Sequence, residues 1–270
     1  MGKNRRLDRH CAIVTGAAGG IGLCFCRELA SRGCAVVIID IDHAKLLETK
    51  ASLLAEFPGI RVMEYALDLT SPDIVERLEA FIRLEDIMPD ILINNAGIFS
   101  FNFLKDTPQE KIERFIDLHV RAVTTLSRWF ASERIGWSQG WILNMSSMSC
   151  WMPMPGLAMY AATKAYIRAF SRALHYEMKD HGVGVTVACP GGIATPLFGL
   201  PENLMKLAVA LRVLDTPERF AKKAIDRMLR NKKQYINGWL NRISIVAVGL
   251  TPTSVRMLVK RRMLDKGITR

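Results

Sequence analysis

The feature that most constrains this sequence is a regular alternation of short apolar runs with segments of helical periodicity. In chain order the runs read CAIVTG (11–16), AVVIID (35–40), RVMEYALDLT (61–70), DILINNAG (90–97), GWILNMSS (140–147) and VGVTVACPGG (183–192). Strands that are apolar along their whole length are buried on both faces, as in a parallel sheet covered by helices on each side. The sequence therefore predicts an α/β fold with a doubly wound parallel sheet.

The segments between these runs predict the helical layers. They cover 21–31, a segment that ends at Leu54, 73–85, one long helix over 109–133, and 160–181. A chain of 270 residues, half of them apolar, can bury one large core. We expect a single domain over 1–238, followed by a basic, amphipathic helical extension over 239–270.

Residues that can bind a ligand cluster where the predicted strands end. These positions are Thr15-Gly16, Asp40, Asp68, Asn94–Gly97, Ser146-Ser147 and Pro190-Gly191. In open parallel sheets, ligands bind at the carboxyl ends of the strands. The sequence thus predicts one binding cleft along this edge of the sheet.

A glycine-rich turn, TGAAGGIG at 15–22, joins the first strand to the first helix. Glycines let the backbone approach a pyrophosphate, and a helix N-terminus offers amide donors. Asp40 ends the second strand, and its carboxylate can accept hydrogen bonds from ribose hydroxyls and repel a 2′-phosphate. The pattern predicts a Rossmann-type dinucleotide site that favours NAD over NADP. The alternatives are a tight turn alone and a helix cap at Asp40, although Asp42 or His43 could begin that helix equally well.

Tyr160 and Lys164 stand one helical turn apart, thirteen residues after Ser147. Positions four apart share a helix face, and a nearby ammonium lowers the pKa of a phenol, which is ordinarily near 10. Tyr160 could then act as a general acid/base, with Ser147 hydrogen-bonded to the same substrate oxygen. Ser146 is expected to be an ordinary strand-end hydroxyl.

The cysteines and the start of the sequence favour a reduced compartment. Six cysteines show no C-x-x-C spacing, so we expect free thiols, no metal site and a cytoplasmic protein. The first ten residues, MGKNRRLDRH, have no secretory pattern, and no apolar run is long enough to span a bilayer.

The net charge of +11 comes from the C-terminal quarter. Residues 204–270 hold 16 Lys and Arg against 4 Asp and Glu, whereas the first 203 residues hold 21 against 22. Residues 260–262 are basic and follow an apolar stretch at 243–250, which would suit an anionic membrane surface. A tail helix that covers the substrate pocket or forms an oligomer contact is the reading we favour. No nucleic-acid recognition motif accompanies the basic residues, so we expect no nucleic-acid partner.

Taken together, TGAAGGIG, Asp68 in ALDLT, NNAG at 94–97, Ser147, Tyr160-x-x-x-Lys164 and PGGIAT at 190–195 resemble the short-chain dehydrogenase/reductase family. The resemblance implies that Tyr160 exchanges a proton with the substrate oxygen, that Lys164 lowers the Tyr160 pKa and binds the nicotinamide ribose, and that Ser147 orients the substrate. The implied cofactor contacts are Thr15, Gly16, Gly20, Ile21, Gly22, Asp40, Asp68, Leu69, Asn95, Ala96, Gly97, Tyr160, Lys164, Pro190, Gly191, Ile193 and Thr195.

One position departs from the family pattern. The family usually carries an Asn in a V-N-x-x-G/A context, and this chain has His119 in LHVRA. In the family that Asn helps to hold a water that links the catalytic Lys to solvent. An imidazole titrates near neutrality and could maintain this relay, alter its pH dependence or break it. The alternative is a buried structural histidine.

The resemblance implies an NAD(H)-dependent oxidoreductase that interconverts a secondary alcohol and a ketone, and we expect a homodimer or homotetramer. Cys150, Trp151, Met152, Met154 and Met159, with a lid over about 192–215, predict a hydrophobic substrate, or else complete the core or a subunit interface. Two other functions stay open, a non-catalytic dinucleotide-binding sensor or scaffold and a steroid or fatty-acyl ketone reductase.

Overall fold

One parallel sheet lies at the centre of the protein. The computed structural model describes residues 5–136, 139–193, 215–249 and 251–265, and in them seven strands pair in the order β3-β2-β1-β4-β5-β6-β7. The strands are β1 (Cys11–Thr15), β2 (Ala35–Asp40), β3 (Val62–Ala66), β4 (Ile91–Asn94), β5 (Gly140–Met145), β6 (Val183–Ala188) and β7 (Gln234–Tyr235). The predicted α/β fold, a Rossmann-type doubly wound parallel sheet, is confirmed.

Helices cover both faces of this sheet. They are α1 (Gly20–Ser31), α2 (His43–Glu56), α3 (Ile74–Leu84), α4 (Gln109–Ile116), α5 (Val123–Arg134), α6 (Ala158–Glu177), α7 (Pro217–Leu229), α8 (Trp239–Gly249) and α9 (Thr253–Val259). On one face, the rings of Phe25 from α1 and Phe220 from α7 meet edge to face, 6.3 Å between centroids. On the other face, Phe130 from α5 and Leu174 from α6 pack on the sheet. Burial of these large side chains holds the three layers together.

The binding edge of the sheet follows from its connectivity. Strand β1 lies between β2 and β4, so that Val14 pairs with Ile38 on one side and with Ile93 on the other. From β1 the chain first adds β2 and β3 on one side, and it then returns to add β4, β5, β6 and β7 on the other side. The helices that follow β1 and β4 lie on opposite faces of the sheet, and the crevice at such a switch point is where doubly wound folds bind their ligands.

The elements differ from the sequence prediction at several boundaries. The helix predicted over 109–133 consists of α4, a π-helical turn at Asp117–Ala122, and α5. The helix predicted over 160–181 ends at Glu177 and is followed by a 3₁₀ turn, Lys179–His181. Strands β3 and β4 are shorter than predicted because their last residues leave the sheet to line the cleft. Strand β7 was not predicted, since two residues are too few to show a period.

The C-terminal extension packs beside the segment that follows β5. Ser244 of α8 donates a hydrogen bond from its Oγ to Met148 Sδ at 3.9 Å. Leu264, in a π-helical turn after α9, is buried, and its Cδ2 lies 3.2 Å from where a Cβ at Gly156 would stand. The division at residue 238 stays a prediction, and most of the predicted lid, residues 194–214, lies outside the described residues. Among the described helices, none is long and apolar enough to cross a membrane.

Candidate active site

A cleft of about 600 Å³ opens along the carboxyl edge of β1, β2, β4 and β5, a size typical of small-molecule sites. Its walls bring together most of the predicted site residues. They are Gly16, Ala18, Gly19, Gly20, Ile21, Asp40, Asp42, Lys45, Asn95, Ala96, Gly97, Ile98, Phe99, Met145, Ser146, Tyr160, Lys164 and Pro190. The glycine turn, the acid that ends β2 and the Tyr160–Lys164 pair thus share one cavity.

The glycine-rich turn presents open backbone to this cleft. Helix α1 starts at Gly20, and Gly19 before it provides no side-chain cap. A Cβ at either glycine would meet no atom within 4 Å, and Gly20 has φ +54°, which favours glycine. The first amides of α1 are therefore accessible to an anion such as a pyrophosphate.

Thr15 and Asn95 fix the position of this turn. Thr15 Oγ1 accepts hydrogen bonds from the backbone amides of Asn95, at 3.0 Å, and Ala96, at 3.1 Å. Asn95 Nδ2 donates in return to the carbonyls of Thr15 and Gly16, both at 3.0 Å. Thr15 is buried and does not line the cleft. It holds the ends of β1 and β4 together, and a direct cofactor contact is not its role in this geometry.

Gly22 serves the internal packing of the turn. A Cβ there would stand 1.9 Å from the Gly16 carbonyl oxygen, so only glycine fits. Gly22 is also absent from the walls of the cleft. Like Thr15, Gly22 supports the shape of the turn without lining the cleft.

Asp40 faces the glycine turn. Its Oδ2 accepts from the amide of Ala18 at 3.1 Å, and its Oδ1 accepts from the amide of Asp42 at 3.2 Å. The alternative that Asp40 caps α2 is wrong, because Asp42 is the cap and accepts from the amide of Lys45 at 3.1 Å. The Lys45 ammonium pairs with Asp42 at 2.7 Å. This end of the cleft therefore presents two carboxylates and one neutralised cation.

A smaller cavity of about 150 Å³ adjoins this end and contains Asp68 and Leu69. Burial raises the pKa of Asp68, but hydrogen bonds from Thr70 and the charges of Arg114 and Arg77 outweigh it and lower that pKa. Arg114 also lines the cavity and was not identified from the sequence. Among the many exposed arginines on the helices, nothing in the pattern distinguishes it.

At the other end of the cleft, Lys164 is buried beneath Tyr160. Its Nζ donates to the carbonyl of Met145 at 3.0 Å and lies 5.8 Å from the centroid of the Tyr160 ring. Burial lowers the pKa of Lys164 to about 8, against a smaller opposing effect of Cys189. The two side chains share a helix face, as their spacing predicts.

The pKa of Tyr160 corrects one expectation. Burial raises this pKa, and a hydrogen bond with Ser147 only partly opposes the increase. Desolvation of the phenol is the dominant effect on this pKa, and the ammonium of Lys164 is directed to the carbonyl of Met145. Phe99 contributes to the burial, with its ring edge-on to that of Tyr160 at 5.0 Å.

The two serines after β5 have different roles, as predicted for Ser146. Ser146 Oγ is buried and donates to the carbonyl of Lys164 at 2.7 Å, which ties β5 to α6. Ser147 Oγ accepts from the amide of Ser149 at 3.1 Å, and this hydroxyl lies close enough to the Tyr160 phenol to lower its pKa. Ser147 is thus the serine beside the phenol.

His119 is a fully buried residue of the π-helical turn. Its Nε2 accepts from the amide of Ile98 at 3.0 Å, and its Nδ1 lies 3.0 Å from Thr163 Oγ1. Burial, and then the charge of Lys164, lower the pKa of His119 to about 2. A Cβ at Gly97 would stand 2.9 Å from His119 Nε2 and 3.4 Å from Lys164 Nζ. The imidazole is therefore neutral, and both of its nitrogens are engaged by the protein.

The residues expected to form a hydrophobic substrate wall divide between two places. Met159 lines a small cavity together with Tyr160. Cys150, Trp151, Met152 and Met154 instead line a separate apolar groove of about 600 Å³ against the Ala161 face of α6. Tyr160 and Lys164 are not among the residues of that groove. Only part of the expected wall thus lies beside Tyr160.

The segment after β6 supplies the remaining predicted contacts. Pro190 lines the cleft, and the amide of Gly191 donates to Oδ1 of the buried Asn237 at 2.7 Å. Ile193 is buried and pairs with Asp215, while Thr195 lies outside the described residues. Asn237 was missed because a single Asn far along the chain carries no local signal.

Cysteine and acidic side chains form no metal site in the described part of the chain. No group of three or more His, Cys, Asp or Glu there is placed to hold a metal ion. All six cysteines are free, and five of them are buried.

Comparison with known proteins identifies relatives of the whole arrangement. A family model described as short chain dehydrogenase matches residues 10–202. The very-long-chain 3-oxoacyl-CoA reductase of Bos taurus is 32% identical over 265 residues, which cover 93% of this chain and 83% of that protein. The probable oxidoreductase EphD of Mycobacterium tuberculosis is 36% identical over 183 residues, 67% of this chain. The match covers 31% of EphD, so this chain spans about a third of that relative.

Among solved structures, a short-chain dehydrogenase from Sphingobium yanoikuyae in complex with NADPH has a TM-score of 0.75 and 26% identity. The superposition covers 94% of this chain and 96% of that one.

Proposed function

Because the chain belongs to the short-chain dehydrogenase/reductase family of oxidoreductases, we propose that it interconverts a secondary alcohol and a ketone with NAD(H). The observation that carries this proposal is that Tyr160 and Lys164 line one end of a cleft whose other end is a glycine turn, with Ser147 beside the Tyr160 phenol. A binding module has no need of a buried phenol beside a buried lysine, whereas acid–base chemistry on a substrate oxygen needs both.

The chain's own residues fit a dinucleotide along this cleft. The open amides at Gly19 and Gly20 would hold the pyrophosphate, Asp40 the adenosine ribose, and the cavity of Asp68 and Leu69 the adenine. Lys164 would hold the nicotinamide ribose. When bound, the nicotinamide supplies the hydride chemistry, which no protein side chain can perform.

Within this arrangement Tyr160 handles the proton. In alcohol oxidation its phenolate accepts the hydroxyl proton, and in ketone reduction its hydroxyl donates one to the carbonyl oxygen. Ser147 hydrogen-bonds Tyr160 and would bind the same substrate oxygen. The ammonium of Lys164 lies near the Tyr160 ring, so it stabilises the phenolate as the phenolate forms. We assign His119 a positioning role, because its ring holds the Gly97–Ile98 backbone against Lys164.

We infer that NAD is preferred over NADP. Asp40 and Asp42 both line the adenosine end, and Lys45 there is paired with Asp42. A 2′-phosphate beside these carboxylates would meet like charges at close range. Arg114 opposes this preference, because it lies in the adjoining cavity with Asp68.

We propose a hydrophobic substrate. Ile98, Phe99 and Met145 line the cleft beside Tyr160, and Met159 lies in the small cavity that Tyr160 also lines. A fatty-acyl or steroid ketone is the second candidate, favoured by the likeness to the 3-oxoacyl-CoA reductase. Cofactor preference distinguishes the two candidates. Biosynthetic ketone reduction usually uses NADPH, and Asp40 disfavours the binding of NADPH.

The experiment that tests the proposed function compares the parent protein with Tyr160→Phe. Nicotinamide absorbance is followed with a panel of hydrophobic alcohols and ketones, and NAD binding is measured separately. We expect the variant to keep NAD binding and lose about 10³-fold or more in kcat. If the parent binds NAD but turns over none of the panel, the protein is better described as a dinucleotide-binding sensor or scaffold.

We further propose that the enzyme works in the cytoplasm as a homodimer or homotetramer. The free cysteines are consistent with a reduced compartment. Tyr166 and Tyr176 on α6 and Ile116 on α4 are exposed and offer apolar surface for a second copy. Sedimentation equilibrium of the purified chain measures this state directly.

A further inference from the structure

The two C-terminal helices expose apolar side chains that a folded protein ordinarily covers. On α8, Trp239 is 68% and Ile243 58% exposed, and on α9, Val255 is 45% and Leu258 47% exposed. Each pair lies three or four residues apart and so occupies one face of its helix. In α8 the polar Ser244 contacts the domain at Met148, while Trp239 and Ile243 remain outside. This orientation is the reverse of an ordinary amphipathic surface helix.

Positive charge accompanies this apolar surface. Residues 239–265 contain five Lys and Arg and one acid, Asp265. Arg242, Arg261 and Arg262 are exposed. Lys260 lies 5.7 Å from the ring of Phe103, which keeps this basic turn against the domain. The surface thus combines an aromatic anchor, aliphatic side chains and an excess of positive charge.

We propose that this surface, the exposed apolar and basic side chains of α8, α9 and the turn after them, docks on an anionic lipid bilayer. Trp prefers the membrane–water interface, aliphatic groups enter the acyl boundary, and Lys and Arg are attracted to acidic headgroups. The helices would lie on the membrane and not cross it.

The positive charge of this surface favours a bilayer over a second copy of this chain as its partner. A two-fold dimer brings the same patch of both subunits together. Through this surface, the exposed Arg242, Arg261 and Arg262 of one copy would meet the same three arginines of the other, which disfavours that contact. An anionic bilayer complements the same charges.

Vesicle sedimentation of the full chain tests the proposal without any substrate, so its failure is distinct from failure of the proposed function. The probes are vesicles of phosphatidylcholine alone and of phosphatidylcholine with about 30% phosphatidylserine. We expect binding to the mixed vesicles, about tenfold or more weaker binding to phosphatidylcholine alone, and weaker binding as salt is raised.

Two double variants locate the surface. Trp239→Ser with Ile243→Ser removes the anchor, and Arg261→Gln with Arg262→Gln removes charge, and each should weaken binding about tenfold or more. All four positions are exposed, so the fold should persist. The matched controls are Leu84→Ser with Met88→Ser, at side chains 83% and 63% exposed, and Lys222→Gln with Lys223→Gln on α7. Both controls should bind as the parent does.

The proposal is overturned if the parent does not sediment with the mixed vesicles, or if the controls lose binding as much as the tail variants do. It is equally overturned if the Trp239/Ile243 variant halves the mass of a dimer that shows no vesicle binding. That result would assign the surface to self-association.

Discussion

The imidazole of His119 accepts a hydrogen bond from the backbone amide of Ile98 at 3.0 Å. Because Nε2 is the acceptor, the ring proton resides on Nδ1 and is donated to Thr163 Oγ1, also at 3.0 Å. The tautomer is thereby fixed, and burial keeps the ring neutral. Of the three roles that the sequence leaves open for this histidine, a change in pH dependence near neutrality is the one that this geometry contradicts.

We therefore expect no ionisation of His119 in the pH profile of activity. Its pKa of about 2 lies below any working range. His119→Asn should leave the apparent pKa values of kcat/KM unchanged to within about 0.3 between pH 5.5 and 8, although lost packing against Phe115 lowers stability. An inflection near pH 6.5 that disappears in this variant, and persists in the control His181→Asn at an exposed site, would contradict this assignment.

Lys164 makes a testable contribution to stability. Its pKa falls from 10.5 to about 8, so between these values the unfolded chain binds the proton more tightly than the folded one. Stability of the parent protein should rise with pH through this window, and below pH 8 the buried ammonium costs up to about 3 kcal/mol.

Lys164→Met should consequently be inactive but more stable than the parent at pH 7, by about 1–2 kcal/mol after loss of the hydrogen bond to Met145. The difference should shrink as pH approaches 10. Urea denaturation at pH 7 and pH 10 measures both effects, with the exposed Lys222→Met as the control. A variant less stable than the parent at pH 7 would show that the ammonium is stabilised by its surroundings.

Ser147 should control the pH at which Tyr160 becomes a base. Burial raises the pKa of Tyr160, and the hydrogen bond with Ser147 opposes this. Alcohol oxidation needs the phenolate, so its kcat/KM should rise with pH into the alkaline range. Ketone reduction needs the phenol and should fall there instead.

Ser147→Ala removes the opposing hydrogen bond, so we expect the alkaline limb of oxidation to move to higher pH and kcat to drop about 10²-fold. Ser149→Ala is the neighbouring control and should retain the parent profile. If Ser147→Ala loses rate with no shift of the limb, the hydroxyl acts on the substrate alone.

The sheet, the cleft and the placement of Tyr160 beside Lys164 could be predicted from the sequence because their signals are local. A buried parallel strand is an unbroken apolar run, and Tyr160 and Lys164 are four residues apart on one helix. The neutrality of His119 could not be predicted in this way. It depends on Ile98, Thr163 and Lys164, which lie 21, 44 and 45 positions away in sequence.

The same reason explains why only part of the predicted hydrophobic substrate wall lies beside Tyr160. Trp151 and Met152 follow the catalytic serine closely in sequence, but the 3₁₀ turn Met148–Trp151 leads them to the groove on the Ala161 face of α6. Proximity along the chain does not say on which side of a helix a loop will pack.

Asp40 should determine the choice of cofactor. Asp40→Ser keeps a hydroxyl acceptor for the amide of Ala18 and removes the charge that opposes a 2′-phosphate. We expect KM for NAD to rise about tenfold and KM for NADP to fall, so that the preference narrows or reverses. Asp42→Ser retains an N-cap hydroxyl for α2 but removes the second carboxylate and the partner of Lys45, so it should shift the preference in the same direction. An unchanged preference in Asp40→Ser would point to Arg114 as the determinant.

A substitution at Thr15 distinguishes a role in shaping the cleft from a role in stability alone. Its Oγ1 accepts from the amides of Asn95 and Ala96. Thr15→Val therefore removes the acceptor of the Ala96 amide and leaves the Asn95 amide with the carbonyl of Ile93 at 3.1 Å, at nearly constant volume and a loss of about 1–2 kcal/mol. Because these amides hold the glycine turn in place, KM for NAD should rise as well, by about tenfold.

The matched control is Thr186→Val in β6, since Thr186 is equally buried and its Oγ1 donates to the carbonyl of Lys232 at 2.7 Å. This hydrogen bond lies outside the walls of the cleft. Thr186→Val should lose about 1–2 kcal/mol of stability and keep the parent KM. If both variants raise KM in proportion to their loss of stability, the Thr15 hydroxyl has only a structural role. If Thr15→Val alone raises KM, the clamp between β1 and β4 is what positions the turn for the cofactor.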